Sequence, residues 1–118
     1  MKSYTDLEQS KKLAEILPLE SADMTCFQNQ NGSISYYGFP MSQANKASNP
    51  IPCWSLAALL EVLPNKLQIA LAINDFQGER KEKYVIGSVE HDRYDCYANN
   101  PVDACYRMIL KLHEQKLL

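Results

Sequence analysis

Proline removes a backbone N–H and clashes with the preceding helical turn, so its positions limit where a helix can run. Pro18, Pro50, Pro52, Pro64 and Pro101 cut this 118-residue chain into short segments. Each segment reads either as a short helix or as a short strand, and there is no internal repeat or low-complexity stretch to suggest an array.

Residues 5–17 predict an amphipathic helix. Leu7, Leu13, Ala14 and Leu17 share one side and Glu8, Lys12 and Glu15 the other, Thr5 and Glu8 have capping-box spacing, and Pro18 stops the helix. Residues 53–63 (CWSLAALLEVL) predict a second helix, opened by Pro50 and Pro52 and closed by Pro64. It is apolar nearly all round, the pattern of a central buried helix or one shared with a partner. Residues 101–115 predict a third, capped by Asn100 with Pro101 in its first turn. Val102, Cys105, Tyr106, Met108, Ile109 and Leu112 form its wide apolar arc.

Asn31-Gly32 is a strong hairpin signal, because a two-residue type I′ turn needs positive φ at both positions. It predicts a hairpin over residues 23–39 in which Phe27 opposes Tyr36 and Asn29 opposes Ile34, with Met24, Cys26, Tyr37 and Phe39 on the opposite face. Residues 40–49 are small and polar, the composition of a loop. Residues 67–73 and 83–89 alternate as strands around a polar loop, and residues 94–98 add one more short strand. The order helix, hairpin, helix, two or three strands, helix implies an α+β fold: one domain over residues 1–118, with a small antiparallel sheet of four to five strands packed sandwich-like with three helices.

A net charge of −2 with charges spread along the chain argues against direct nucleic-acid binding, which needs clustered Lys and Arg. The N-terminal segment lacks an apolar export signal, and no apolar run, Leu56–Leu60 included, is long enough to cross a bilayer. The expectation is a cytoplasmic protein without a membrane partner, whose Cys26, Cys53, Cys96 and Cys105 are thiols rather than disulfides.

The wording CWSLAALLEVLP, then a predicted antiparallel hairpin, then NNPVDACYRMILKLHEQKLL resembles small proteins of bacteriophages and mobile elements, including those grouped as phage αβα-sandwich domains. The resemblance covers roughly residues 50–118. It implies a sandwich fold and a mobile-element origin, and it carries no active site to transfer.

The sequence carries no strong catalytic or metal-binding constellation. No C-x-x-C or H-x₃₋₅-H pair is present, and the nearest metal grouping, His91, Cys96 and Cys105 with His113, lacks ligand spacing, so the expectation is no metal and no cofactor. Cys53 sits near a predicted helix start, where a thiolate gains stability, yet it continues an apolar stripe and reads as core. Asp92 and Asp95 beside His91 suit a turn, and the four glycines are isolated, so no phosphate loop exists. Seven tyrosines and one tryptophan are the remaining clue, since both residue types are enriched at interfaces.

The leading expectation is a non-enzymatic accessory protein that acts through protein–protein contact. The alternative is a small-ligand binder or enzyme with a pocket between helix 53–63 and the sheet, using Cys53 or His91. The outer margin of the third helix, Tyr106 and Leu110, with Leu117 and Leu118 at the C-terminus, is the candidate interaction surface for another protein or a second copy.

Overall fold

The computed structural model describes residues 1–75, 78–88 and 95–118. The fold is α+β, with three α-helices and antiparallel strands among the described residues, as the sequence implies. The strands are divided between two three-stranded sheets rather than gathered in one sheet of four to five. By internal contacts the chain forms two units, Tyr4–Ala58 and Met1–Ser3 with Leu59–Leu118, taken in turn below.

In the first unit α1 is Leu7–Ala14. Its cap is one residue later than the Thr5/Glu8 pattern predicts. Asp6 accepts from Gln9 N–H at 2.9 Å, and the Gln9 side chain accepts from Asp6 N–H at 3.2 Å, which closes a capping box. Leu13 and Leu17 are buried, as their spacing requires.

Strands β1 (Met24–Gln28), β2 (Ile34–Tyr37) and β3 (Ile51–Cys53) form a sheet in the order β2-β1-β3. The β1–β2 register corrects the two-residue turn. Cys26 faces Tyr36 and Phe27 faces Ser35, so the loop holds three residues, Gln30 to Gly32. Gly32 N–H donates to Asn29 carbonyl at 3.0 Å and Asn29 N–H to Ser33 carbonyl at 2.8 Å. Of the turn residues only Gly32 has positive φ, at 87°. Asn31 instead accepts from Ser33 N–H through its side chain at 3.0 Å, a local bond that Asn makes readily in a turn. This is the three-residue hairpin with a left-handed glycine. The slip of one residue turns β2 over relative to β1.

β3 takes Cys53, which the sequence reading gives to the second helix, and Pro52, which it sets at that helix's opening. Pro52 opposes Thr25 and the ladder runs through its neighbours, Ile51 facing Cys26 and Cys53 facing Met24. A proline is tolerated in an edge strand where its missing N–H would point away from the ladder. The second helix, α2, is therefore shorter, Leu56–Glu61. Ser55 opens it: its hydroxyl accepts from Ala58 N–H at 3.2 Å and donates to Asp23 at 2.5 Å. Nor is this helix buried all round, for Leu60 is 41% exposed.

The second unit holds β4 (Ile69–Ile73), β5 (Tyr84–Ser88), β6 (Cys96–Ala98) and α3 (Pro101–Glu114). The sheet order is β4-β5-β6, all antiparallel, and α3 contacts each of the three strands. Ile86, Ala98, Val102, Cys105, Met108, Ile109 and Leu112 are its core. Asn100 caps α3 by accepting from Asp103 N–H at 2.8 Å, and Lys2 pairs with Asp103 at 2.9 Å. Gly87 lets the chain at Asp95 come close: a Cβ at Gly87 would overlap the Asp95 carboxylate and lie 3.4 Å from its Cα.

Gly32→Val places a β-branched residue at positive φ, and the expected loss is about 1–3 kcal/mol. Gly32→Asn, which tolerates that region better, loses less. Urea unfolding of both variants checks the order, and equal stability of Val and Gly at this position would contradict the turn geometry.

Candidate functional site

The first unit carries an open hollow of about 1010 Å³. Three parts of the chain build it. Lys11 comes from the solvent side of α1, Gln28, Asn29 and Gln30 from the end of β1 and its turn, and Met41, Ser42, Lys46, Ser48 and Asn49 from the polar segment before β3.

That segment is more ordered than its composition suggests. It makes two 3₁₀ turns, Met41–Gln43 and Lys46–Ser48, and Asn45 caps the second by accepting from Ala47 N–H at 3.0 Å. Asn49 then takes the left-handed conformation, φ 52°, and redirects the chain into Pro50 and Ile51. Asn adopts this region more easily than most residues because its side chain bonds locally.

The lining is amide, hydroxyl and ammonium with the apolar side chains of Leu19, Met41, Pro50 and Ile51, and among the described residues it contains no carboxylate. Lys11 and Lys46 are the charged groups of its lining among the described residues, and they favour acidic groups over basic ones.

A second hollow of about 480 Å³ shares Gln28, Asn29, Gln30 and Ser48 with the first and is walled by Phe27, Tyr37 and Phe39. These rings form a connected set. Phe27 and Tyr37 meet edge to face at 5.6 Å, and Tyr37 and Phe39 stack at 5.4 Å. Tyr37 is 45% exposed, so an aromatic surface stands open beside the amide-rich one.

Beneath the sheet lies a buried polar cluster. Cys53 is not at a helix start but on β3, with 0% exposure, as has Cys26 on β1. Thr5 N–H donates to the Trp54 carbonyl at 2.9 Å, and the Thr5 hydroxyl accepts from Trp54 N–H at 3.1 Å and bonds Ser10 at 2.8 Å. The Cys53 thiol donates to the Thr5 carbonyl at 3.3 Å. Hydrogen bonding with Cys26, then with Thr5 and Ser10, brings the Cys53 thiol down to about 7 against the effect of burial. The same pairing with Cys53, and burial, push Cys26 well up. Burial also pushes Cys105 up to about 12. The cluster is tightly enclosed, and the thiols of Cys26 and Cys53 are sealed from solutes while the fold is intact.

The remaining sequence candidates are dispersed. Cys96 is half-buried on β6 and Cys105 fully buried on α3, while His91, Asp92 and Tyr94 lie outside the described residues. No group of three His, Cys, Asp or Glu side chains converges on a common point among the described residues. The two hollows take none of their lining from residues 53–63, where a pocket is expected from sequence.

On α3 Tyr106 and Leu110 are half-buried. Leu117 and Leu118 are half-buried as well, because the chain turns back at the helix end. Lys116 is left-handed, φ 59°, and Leu117 N–H donates to Leu112 carbonyl at 2.9 Å. This is a Schellman-type stop, in which an apolar residue after the turn commonly packs against the last helical turn.

The chain matches no protein-family model, no curated protein sequence and no solved structure.

Replacing Thr5 by Val keeps its shape and removes its hydroxyl, leaving buried Trp54 N–H without its acceptor. The expected cost is about 1–3 kcal/mol. Thr5→Ser keeps the hydroxyl and loses less. Unfolding followed by the fluorescence of Trp54, the single tryptophan, ranks the two, and a Val variant as stable as the native chain would remove the hydroxyl from the argument.

Proposed function

We propose that this protein is a non-enzymatic binding protein that acts through protein–protein contact, and that the paired hollows of the first unit are its contact surface. The observation that carries the reading is the lining itself. Exposed Tyr37, flanked by Phe27 and Phe39, adjoins a hollow of side-chain amides with Lys11 and Lys46 as its charges. Aromatic side chains supply contact area at small entropic cost, and amides pair with peptide groups. Together they suit an extended polypeptide that bears acidic side chains.

The groups that line the hollows recognise rather than transform. Amides and ammoniums orient and neutralise a ligand, whereas acid–base or nucleophilic chemistry calls for an imidazole, carboxylate or activated thiol in reach. The resemblance of residues 50–118 to phage and mobile-element proteins supports an accessory role in such an element.

The test is selection from a displayed random-peptide library, followed by fluorescence polarisation with the enriched peptides. Acidic peptides with micromolar or tighter affinity are expected. Tyr37→Ala should weaken them about tenfold or more, and Lys11→Glu with Lys46→Glu should reverse the charge preference, both at native stability. Peptides that bind both variants as well as the native chain would overturn the assignment.

A further inference from the structure

Sheet edges offer rows of unpaired N–H and C=O groups, and proteins blunt them with short strands, charge, proline or a covering group. The sheet of the second unit treats its two edges differently. Edge strand β6 has three residues, and the carbonyl of Tyr97 accepts from the Arg107 guanidinium of α3. Edge strand β4 has five residues, Ile69-Ala70-Leu71-Ala72-Ile73, with no charge and no proline.

Asn74 N–H donates to Lys83 carbonyl at 2.7 Å, continuing a register in which Ala72 faces Val85 and Ala70 faces Gly87. Antiparallel strands alternate the side to which they donate. Asn74, Ala72 and Ala70 therefore bond toward β5, and the N–H and C=O of Ile69, Leu71 and Ile73 point outward. None of these outward groups has a backbone partner among the described residues. The side chains on this edge are open too: Ile73 is 65% exposed, and Ala70 and Ala72 are exposed.

The five residues read the same in both directions. Antiparallel pairing of β4 with itself about a two-fold axis at Leu71 matches Leu71 with Leu71, Ile69 with Ile73 and Ala70 with Ala72. Equal-sized residues thus meet at every position, and the outward backbone groups fall into register as six hydrogen bonds. That number lies within the roughly 10 ± 5 of a typical protein interface. A two-fold contact sets charges that lie near its axis close to their own copies, and β4 carries none to repel. We propose that β4 pairs with β4 of a second copy of this chain, forming a continuous six-stranded sheet across a two-fold homodimer. This surface is separate from the peptide-binding surface of the first unit.

Light scattering after size exclusion should give twice the mass of one chain. Ile73→Pro removes an outward N–H that β5 does not use, and should give a single-chain mass with native circular dichroism. Ile73→Lys places a charge at the same point and serves if the proline variant fails to fold. Leu71→Cys gives the register: across a hydrogen-bonded antiparallel pair the Cα atoms lie about 5.5 Å apart, inside the disulfide range of about 4.4–6.8 Å. Mild oxidation should link this variant into covalent dimers where the native chain, with its own four cysteines, stays unlinked. Leu110→Glu on α3 should leave the dimer intact. A native chain of single-chain mass at its highest soluble concentration overturns the proposal. So does a dimer that survives Ile73→Lys, or one in which Leu71→Cys does not link.

Discussion

The first unit is organised around one buried hydroxyl. Thr5 has 0% exposure, and its Oγ1 takes the Trp54 N–H while bonding Ser10. Each buried polar atom needs a partner, because leaving one unpaired costs about 1–3 kcal/mol. Among the described residues no buried side-chain nitrogen or oxygen lacks one. Thr5 is thereby committed to the end of β3 and cannot cap α1, so the cap passes to Asp6. The same bonds hold Cys53 and Trp54 in place, and Trp54 extends the frame by donating to Ser21 at 3.0 Å. With α1, the turn after Pro18 and β3 tied together, Lys11 and Ile51 stand on fixed walls of the hollow.

Local chemistry explains what the sequence reveals of the fold. α3 is legible from Asn100 and Pro101 to its last turn because a side-chain cap, a proline start and a wide apolar arc agree. β4 and β5 are legible from their alternation of side chains on either side of a polar loop. The second helix misleads because one apolar run, Ile51 to Leu63, contains two elements. The signal that divides them is Ser55, whose role as a cap depends on Asp23, 32 residues away. The hollow is hidden more deeply, since it needs the ends of α1, β1 and β3 brought together, and no spacing in the sequence records that. The polar stretch 40–49 looks like slack loop, yet two 3₁₀ turns and a left-handed Asn49 make it a wall.

The C-terminal leucines show how one pattern admits a local and a distant cause. Apolar residues just after a helix suggest a partner when only hydrophobicity is weighed. The left-handed Lys116 and the bond from Leu117 back to Leu112 give them a use within the helix stop. An open apolar surface of this unit also lies on β4, where Ala alternates with Ile and Leu without the charge that edge strands ordinarily carry.

A single residue in the hairpin turn decides which aromatics reach solvent. A two-residue Asn31-Gly32 turn would set Phe27 opposite Tyr36, on one face of the sheet. The three-residue turn sets Tyr36 opposite Cys26 instead, and its ring lies 4.6 Å from that of Tyr4. Tyr37 then shares a face with Phe27 and stacks on Phe39. Both registers satisfy the strands' hydrogen bonds, so the choice rests on the turn and the packing. Asn31 closes on Ser33 with its side chain, Gly32 supplies the positive φ, and Asn29 reaches Ser33 and Ser35 at 3.0 and 2.9 Å. The exposed aromatic surface proposed for binding is therefore set by four small polar residues and a glycine, of which Asn29, Ser35 and Gly32 also line the hollows themselves.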